Sequence, residues 1–198
     1  MKKMKLEFQL LAERPDAVLT VANWLHGEWG QEVEGSSPEK LAEGIVSRVS
    51  VDQFPMHVIA IQGNEIVGFG ALKIRVMKIY EDREHWLGSL VVPGEHRGKG
   101  IGSALINEIV RRGRERGVSL LSLQTEELDG GLYSKLGWKP VEQVNYRGIE
   151  VLVMERLLRS NWVAGEVSLP SPHTTTRLSP PNSGHTGPYP AVPRRSEE

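Results

Sequence analysis

The sequence predicts an α/β domain in which a mixed central sheet is flanked by helices, in the order βααβββαβαββ. Three observations predict it. Apolar residues change from helical to alternating spacing and back along residues 4–158. Two pairs of alternating segments are joined by short glycine turns, as antiparallel neighbours are. An apolar strand runs straight through a glycine-rich loop into a long amphipathic helix.

Lys5 to Leu11 alternates and reads as the first strand. Pro15 and Asp16 open a helix with Val18, Val21, Ala22, Leu25 and Trp29 on one side. For the second helix, Ser37-Pro38-Glu39-Lys40 supplies an N-cap and a proline at the first helical position. Leu41, Ile45, Val46 and Val49 then keep helical spacing. His57–Ile61 and Ile66–Val76 flank the turn Gln62-Gly63-Asn64-Glu65 as a strand pair, and Trp86–Val92 is the strand that enters the glycine loop. The helix from Ile101 to Arg116 turns Ile101, Leu105 and Ile109 inward and stops at Gly117. Arg111, Arg112, Arg114 and Arg116 lie near its negative end and read as a solvated, dipole-matched face. Val118–Leu123 is a strand, Gly130–Leu136 a short helix, and Lys139–Tyr146 with Ile149–Leu157 a hairpin turning at Arg147-Gly148.

The composition breaks near Arg159. Residues 159–198 hold seven of the twelve prolines, many Ser and Thr, and almost no aliphatic residues. Such a segment cannot bury a core, which predicts a domain over 4–158 and a disordered tail over 159–198. In the tail, Pro190-Ala-Val-Pro193-Arg194-Arg195 fits PxxPxR, a pattern SH3 domains read from a polyproline helix. With Lys+Arg 24 against Asp+Glu 25 and a formal net charge of −1, no overall field favours nucleic acid or an anionic membrane. The absence of cysteine excludes thiolate metal sites and a thioester-linked enzyme intermediate. The basic start MKKMKLEFQLLAERPD is interrupted by Glu7, Gln9 and Glu13, which a signal peptide would not tolerate, so the expectation is a cytoplasmic protein.

VVPGEHRGKGIGSALI, residues 91–106, crowds Gly94, Gly98, Gly100 and Gly102 between strand and helix. Closely spaced glycines let backbone N–H groups converge, and a helix N-terminus adds unpaired donors and a positive dipole end. Arg97 and Lys99 add full charges, so phosphate is the expected guest. The P-loop pattern fails, because Gly94 to Gly98 is one residue short and Gly100 follows Lys99. The dinucleotide pattern fails too, its third glycine arriving one place early at Gly102.

Arg97-Gly98-Lys99-Gly100-Ile101-Gly102 instead resembles the [QR]xxGx[GA] motif of the GNAT family of N-acetyltransferases. Its context adds specificity: the strand Leu90-Val91-Val92 before it, the long helix after it, and Leu132-Tyr133-Ser134-Lys135-Leu136-Gly137-Trp138, which looks like the family's (F/L)YxKxGF signature. A narrower likeness is to the acetyltransferases that modify the amino terminus of actin. It rests on residues 23–29, on Asp52-Gln53-Phe54-Pro55-Met56 and on Met154-Glu155-Arg156-Leu157.

The resemblance implies a GNAT fold over 4–158 and acetyl-CoA as cosubstrate, without a metal. It implies that the backbone of Leu90, Val91 and Val92 meets the acetyl-pantetheine arm, and that Arg97, Gly98, Lys99, Gly100, Ile101, Gly102 and Ser103 surround the diphosphate. Tyr133 takes the place of the usual general acid; a phenol of pKa about 10 suits a departing thiolate. The reaction implied is direct transfer to a primary amine, either a protein amino terminus or a small molecule, in a ternary complex, with a cofactor-strand N–H, that of Val92, polarising the carbonyl. Two positions depart from the family pattern. An asparagine that often touches the pantetheine arm is replaced within Glu126–Gly131, and Gln124 stands where many amino-terminal acetyltransferases carry a glutamate. The general base is therefore open among Glu84, His85, His57, Glu127 and an ordered water. Glu28, Glu32 and Glu34, and the turn at Tyr146-Arg147, are candidates for the acceptor wall. The competing class is an acetyl-CoA-binding module without turnover whose Pro-rich tail binds a partner; the retained Tyr133 favours the enzyme.

Overall fold

The computed structural model describes residues 5–31 and 33–158. The tail with its PxxPxR segment, and Glu32, lie outside them. The elements are β1 (Leu6–Leu10), α1 (Val18–Leu25), α2 (Pro38–Val46), β2 (Met56–Gln62), β3 (Glu65–Ile74), β4 (His85–Val91), α3 (Ile101–Glu115), β5 (Leu120–Thr125), α4 (Gly131–Lys135), β6 (Lys139–Tyr146) and β7 (Ile149–Leu157). This is the anticipated βααβββαβαββ order. The seven strands form one sheet, β1-β2-β3-β4-β5-β7-β6, antiparallel except where β4 and β5 run parallel.

The helix starts follow their local chemistry. Ser37 is extended and its Oγ accepts from the Lys40 N–H at 3.3 Å, capping α2 with Pro38 at its first position. Pro15–Ala17 forms a 3-10 turn leading into α1, and beyond Leu25 the chain widens into a π turn over His26–Gly30. Trp29 therefore falls in the π turn, and Val49 lies past the end of α2. Val46 is 59% exposed, so the apolar stripe of α2 is narrower than its spacing suggests.

Each sheet face has its own core. On one face, Leu105, Ile106 and Ile109 of α3 pack on Val58, Ala60, Leu72, Leu87, Leu121 and Met154. Gly68 permits the close approach: a Cβ there would lie 2.9 Å from Leu105 Cδ1 and 3.3 Å from the Val91 carbonyl oxygen. On the other face, Val18, Val21, Leu25 and Ile45 cover Ile59, Ile61, Phe69 and Ala71. Farther along it, Met77 and Trp86 close over Val151 and Val153. At the end of α3, Arg111 pairs with Glu108 and Glu115 and is exposed with Arg114, as a solvated face is, whereas Arg112, its side chain 16% exposed, pairs with Glu108 and donates to the Phe8 carbonyl at 3.4 Å.

Candidate active site

The site begins with a strand pair that does not stay paired. The parallel ladder of β4 and β5 records Trp86 opposite Ser122 and, among the described residues, no pair beyond it. On its other side β4 carries a bulge: Ala71 faces Gly88 and Phe69 faces Val91, so Ser89 and Leu90 together oppose Gly70. Ser89 takes φ +51°. A bulge bends and twists the strand that contains it. The C-terminal half of β4 thereby turns backbone N–H and C=O groups toward β5 without a strand partner, a template for an extended ligand.

The glycine loop caps that opening. Gly98 and Gly100 have φ +73° and +80°, conformations that favour glycine, and a Cβ at either would meet nothing within 4 Å. The glycines therefore serve the path of the backbone, and the space before them is open. Helix α3 starts at Gly100 without a side-chain cap, and its first closed bond runs from the Ala104 N–H to the Gly100 carbonyl at 3.0 Å. Earlier N–H groups, those of Ile101, Gly102 and Ser103, have no acceptor within the helix. Fifteen residues of aligned peptide dipoles stand behind them. Arg97 and Lys99 brace this loop. Arg97 Nε donates to the Val92 carbonyl at 2.8 Å and Nη2 to Glu28 at 2.7 Å, while Lys99 Nζ donates to the Glu95 carbonyl at 2.8 Å.

Tyr133 projects from α4 on the α3 side of the sheet. Its ring meets Trp138 edge-on at 6.2 Å and packs against the α3 core. Burial, with the Glu127 carboxylate adding to it, pushes the phenol up to about 12. Glu127 itself stands over Gly131, where an added Cβ would collide with its carboxylate. The stretch in which the family's asparagine is missing is thus a tight turn, with Gly130 at φ +76° and the Gly131 N–H bonded to Asp129 Oδ1 at 2.9 Å.

The structure separates the candidate bases. Glu84 and His85 lie at the start of β4, beside a cavity of about 280 Å³ at the closed end of the β4–β5 pair. A strand rise of about 3.3 Å per residue puts His85 ~13 Å from the bulge. His57, 4% exposed, lies on the face opposite α3, where burial first and Lys73 and Arg48 next depress its imidazole to about 4. Gln124 leaves Oε1 buried without a hydrogen bond. Of the acidic wall, Glu28 is paired with Arg97 and Glu34 is exposed. Arg147 sits at φ +56° in the hairpin turn, over the Tyr146 ring at 5.3 Å.

Two residues were not anticipated from sequence. Lys73 Nζ lies 2.6 Å from Ser89 Oγ at the bulge, and its stem runs over Gly88. The available signal was parity: Lys73 follows Phe69 and Ala71 at steps of two, on the buried face of β3.

An opened parallel strand pair, a donor-lined helix start at its mouth and a partly buried phenol beside it fit a class of protein that takes an extended, phosphorylated acyl carrier. The sequence model of the Acetyltransferase (GNAT) family matches residues 18–138, and the chain belongs to that family of acetyl-CoA-dependent N-acetyltransferases. No curated protein sequence matches it. Solved structures share the fold. An aminoglycoside 6'-N-acetyltransferase complexed with coenzyme A is 20% identical, with 80% of this chain and 99% of that one covered at TM-score 0.61. The ribosomal-protein-S18-alanine N-acetyltransferase from Escherichia coli is 18% identical over 81% and 99% of the two chains, TM-score 0.56. A spermidine/spermine N-acetyltransferase from Vibrio cholerae is 18% identical over 78% and 95%, TM-score 0.59. No helix among the described residues is long and apolar enough to cross a membrane, and no group of three His, Asp or Glu there could hold a metal ion.

Proposed function

We propose that the protein transfers an acetyl group directly from acetyl-CoA to a primary amine, of a protein amino terminus or a small molecule, within one ternary complex. The observation that carries this reading is the opening of β4 from β5 directly beneath the uncapped start of α3. The N–H groups from Gly98 to Ser103 hold the diphosphate, and the backbone of Leu90, Val91 and Val92 pairs with the pantetheine arm. Acetyl-CoA supplies the activated acyl group, as a thioester. The Val92 N–H polarises the carbonyl, and Tyr133, which keeps its proton throughout the working pH range, donates to the sulfur as negative charge develops there. With no cysteine in the chain, a cysteine-bound acyl-enzyme has no attachment point. The three solved relatives act on an aminoglycoside, a protein alanine and polyamines, so the shared fold admits acceptors as different as these.

A Gly100→Val protein tests the cradle. A β-branched residue at φ +80° is strained and places its side chain in the open space before the loop. Calorimetry is expected to show acetyl-CoA affinity lost, with the cooperative unfolding transition retained at a lower temperature. Unchanged affinity refutes the cradle.

A further inference from the structure

We propose that Lys73 is the general base of the transfer: its Nζ, held 2.6 Å from Ser89 Oγ at the bulge of β4, takes the proton that the acceptor ammonium must lose. The proposal rests on the function proposed above.

The two faces of the sheet divide the reaction. The glycine loop, α3 and Tyr133 belong to one face. The face opposite α3 carries the π turn after α1 and the end of the β6–β7 hairpin. On that face the registers align Lys73 with Trp86, Trp86 with Ser122, and Ser122 with Glu155. Lys73 thus starts in the last row where β4 and β5 are paired and reaches toward the strand's open half. Gly88 gives it passage: a Cβ there would stand 3.4 Å from Lys73 Cδ and 3.8 Å from Nζ.

A base must be neutral to work. Burial pulls the Lys73 ammonium down to about 8, so a substantial fraction is neutral at neutral to mildly alkaline pH. The other titratable groups on this face leave Lys73 the best-matched acceptor. His57 on β2 is depressed to about 4 and is too weak a base. Arg48, beyond α2, adds a positive charge that bears on His57. Arg83 pairs with Glu155 of β7. Tyr80, raised to about 12 by burial and then Glu142 of β6, stays neutral.

The step balances. Neutral Lys73 accepts one proton from the acceptor ammonium, whose nitrogen then bonds to the acetyl carbon. The carbon–sulfur bond breaks, its electron pair leaves with sulfur, and sulfur takes the proton donated by Tyr133. The second amine proton passes to solvent as the amide forms; solvent then takes the proton held by Lys73 and returns one to the Tyr133 phenolate.

Two measurements test the assignment. In the first, the intact protein is exposed to acetic anhydride across a pH series without acetyl-CoA, and Lys73 acetylation is followed by mass spectrometry. The expected midpoint lies near 8; one near the ordinary lysine value overturns the proposal. In the second, Lys73→Met is expected to lose on the order of 10²–10⁴-fold in kcat/KM at neutral pH, with coenzyme A affinity unchanged. Lys73→Arg should be equally impaired, because a guanidinium cannot accept the proton. The chain has no other cysteine, so Lys73→Cys can be alkylated at one place with 2-bromoethylamine. That side chain, a less basic amine of lysine's length, should restore turnover with a pH profile displaced to lower pH. A Lys73→Met or Lys73→Arg protein within a few-fold of wild type overturns the role of Lys73 alone. Wild-type protein that binds acetyl-CoA but acetylates no amine overturns the parent reading, and Lys73 falls with it.

Discussion

The two faces of β3 and β4 are built on opposite principles. Toward α3 the strands present Gly68, Gly70, Leu72 and Leu87 to a helix that packs tightly on them. On the opposite face, the same strands and β2 hold a half-buried Lys73 and a buried His57, each with its charged form disfavoured. Burying such groups costs stability that an apolar core would not lose. The difference teaches where chemistry would displace packing: in the proposed reaction one face positions the carrier and its proton donor, and the other holds two nitrogens whose charged forms are disfavoured.

The largest expected effect concerns Tyr133, the proposed proton donor on the α3 face. Tyr133→Phe keeps the ring and its edge-on contact with Trp138 while deleting the hydroxyl. The expected result is a loss on the order of 10²–10⁴-fold in kcat with acetyl-CoA affinity little changed. A burial-raised phenol is a poorer acid than free tyrosine, which places the effect toward the lower end; burial opposes the charged thiolate too, so the match is not lost. Single-turnover measurements check this. Full turnover in Tyr133→Phe breaks the division between the faces, because the donor would then have to come from elsewhere.

His57 gives the next effect, in stability. Its folded value of about 4 lies below the ordinary value of 6.5, so between these pH values the unfolded chain binds a proton that the native protein refuses. Above 6.5 neither state binds it and the contribution vanishes. As pH falls from 6.5 to 4, the native state loses up to about 3 kcal/mol. Urea midpoints from pH 7.5 to 4.5 should show this slope in wild type and a shallower one in His57→Gln. Equal slopes would show that the imidazole is solvated and that the face opposite α3 is less costly than its burial indicates.

Much of this was legible in the sequence, and unevenly. All eleven elements were, because period, caps and glycine turns are local signals; the hairpin bounds at Lys139–Tyr146 and Ile149–Leu157 match the structure. The glycine loop was legible because φ above zero restricts residue type. Other features depend on register between distant strands. Nothing near Ser89 in the sequence announces a bulge, since it arises from how β4 meets Gly70 of β3. Lys73 reads as a solvent-facing residue near a strand end until β4 covers it. The candidate bases scattered for the same reason: Glu84 and His85 are close to the bulge of β4 in sequence but lie at the other end of that strand.

The smallest effects come from one added methyl group on each face. A Cβ at Gly68 would meet Leu105 Cδ1 at 2.9 Å, Ile101 Cγ2 at 3.2 Å and the Val91 carbonyl at 3.3 Å. The side chains can yield, but the carbonyl belongs to β4 and yields less. Gly68→Ala should therefore cost on the order of 1 kcal/mol, the overpacking penalty offset in part by the lower backbone entropy of alanine. Thermal or urea unfolding would measure it, and kcat is expected to stay near wild type. The three atoms nearest a Cβ at Gly88 all belong to Lys73, at 3.4 Å and beyond, in ordinary contact. Gly88→Ala should leave stability within about 0.5 kcal/mol of wild type. It crowds the path of Lys73 toward the bulge, however, so its effect should appear in the pH profile of kcat/KM. A Gly88→Ala protein with an unaltered profile, beside a Gly68→Ala protein with reduced turnover, would reverse the contrast and assign the chemistry to the packed face.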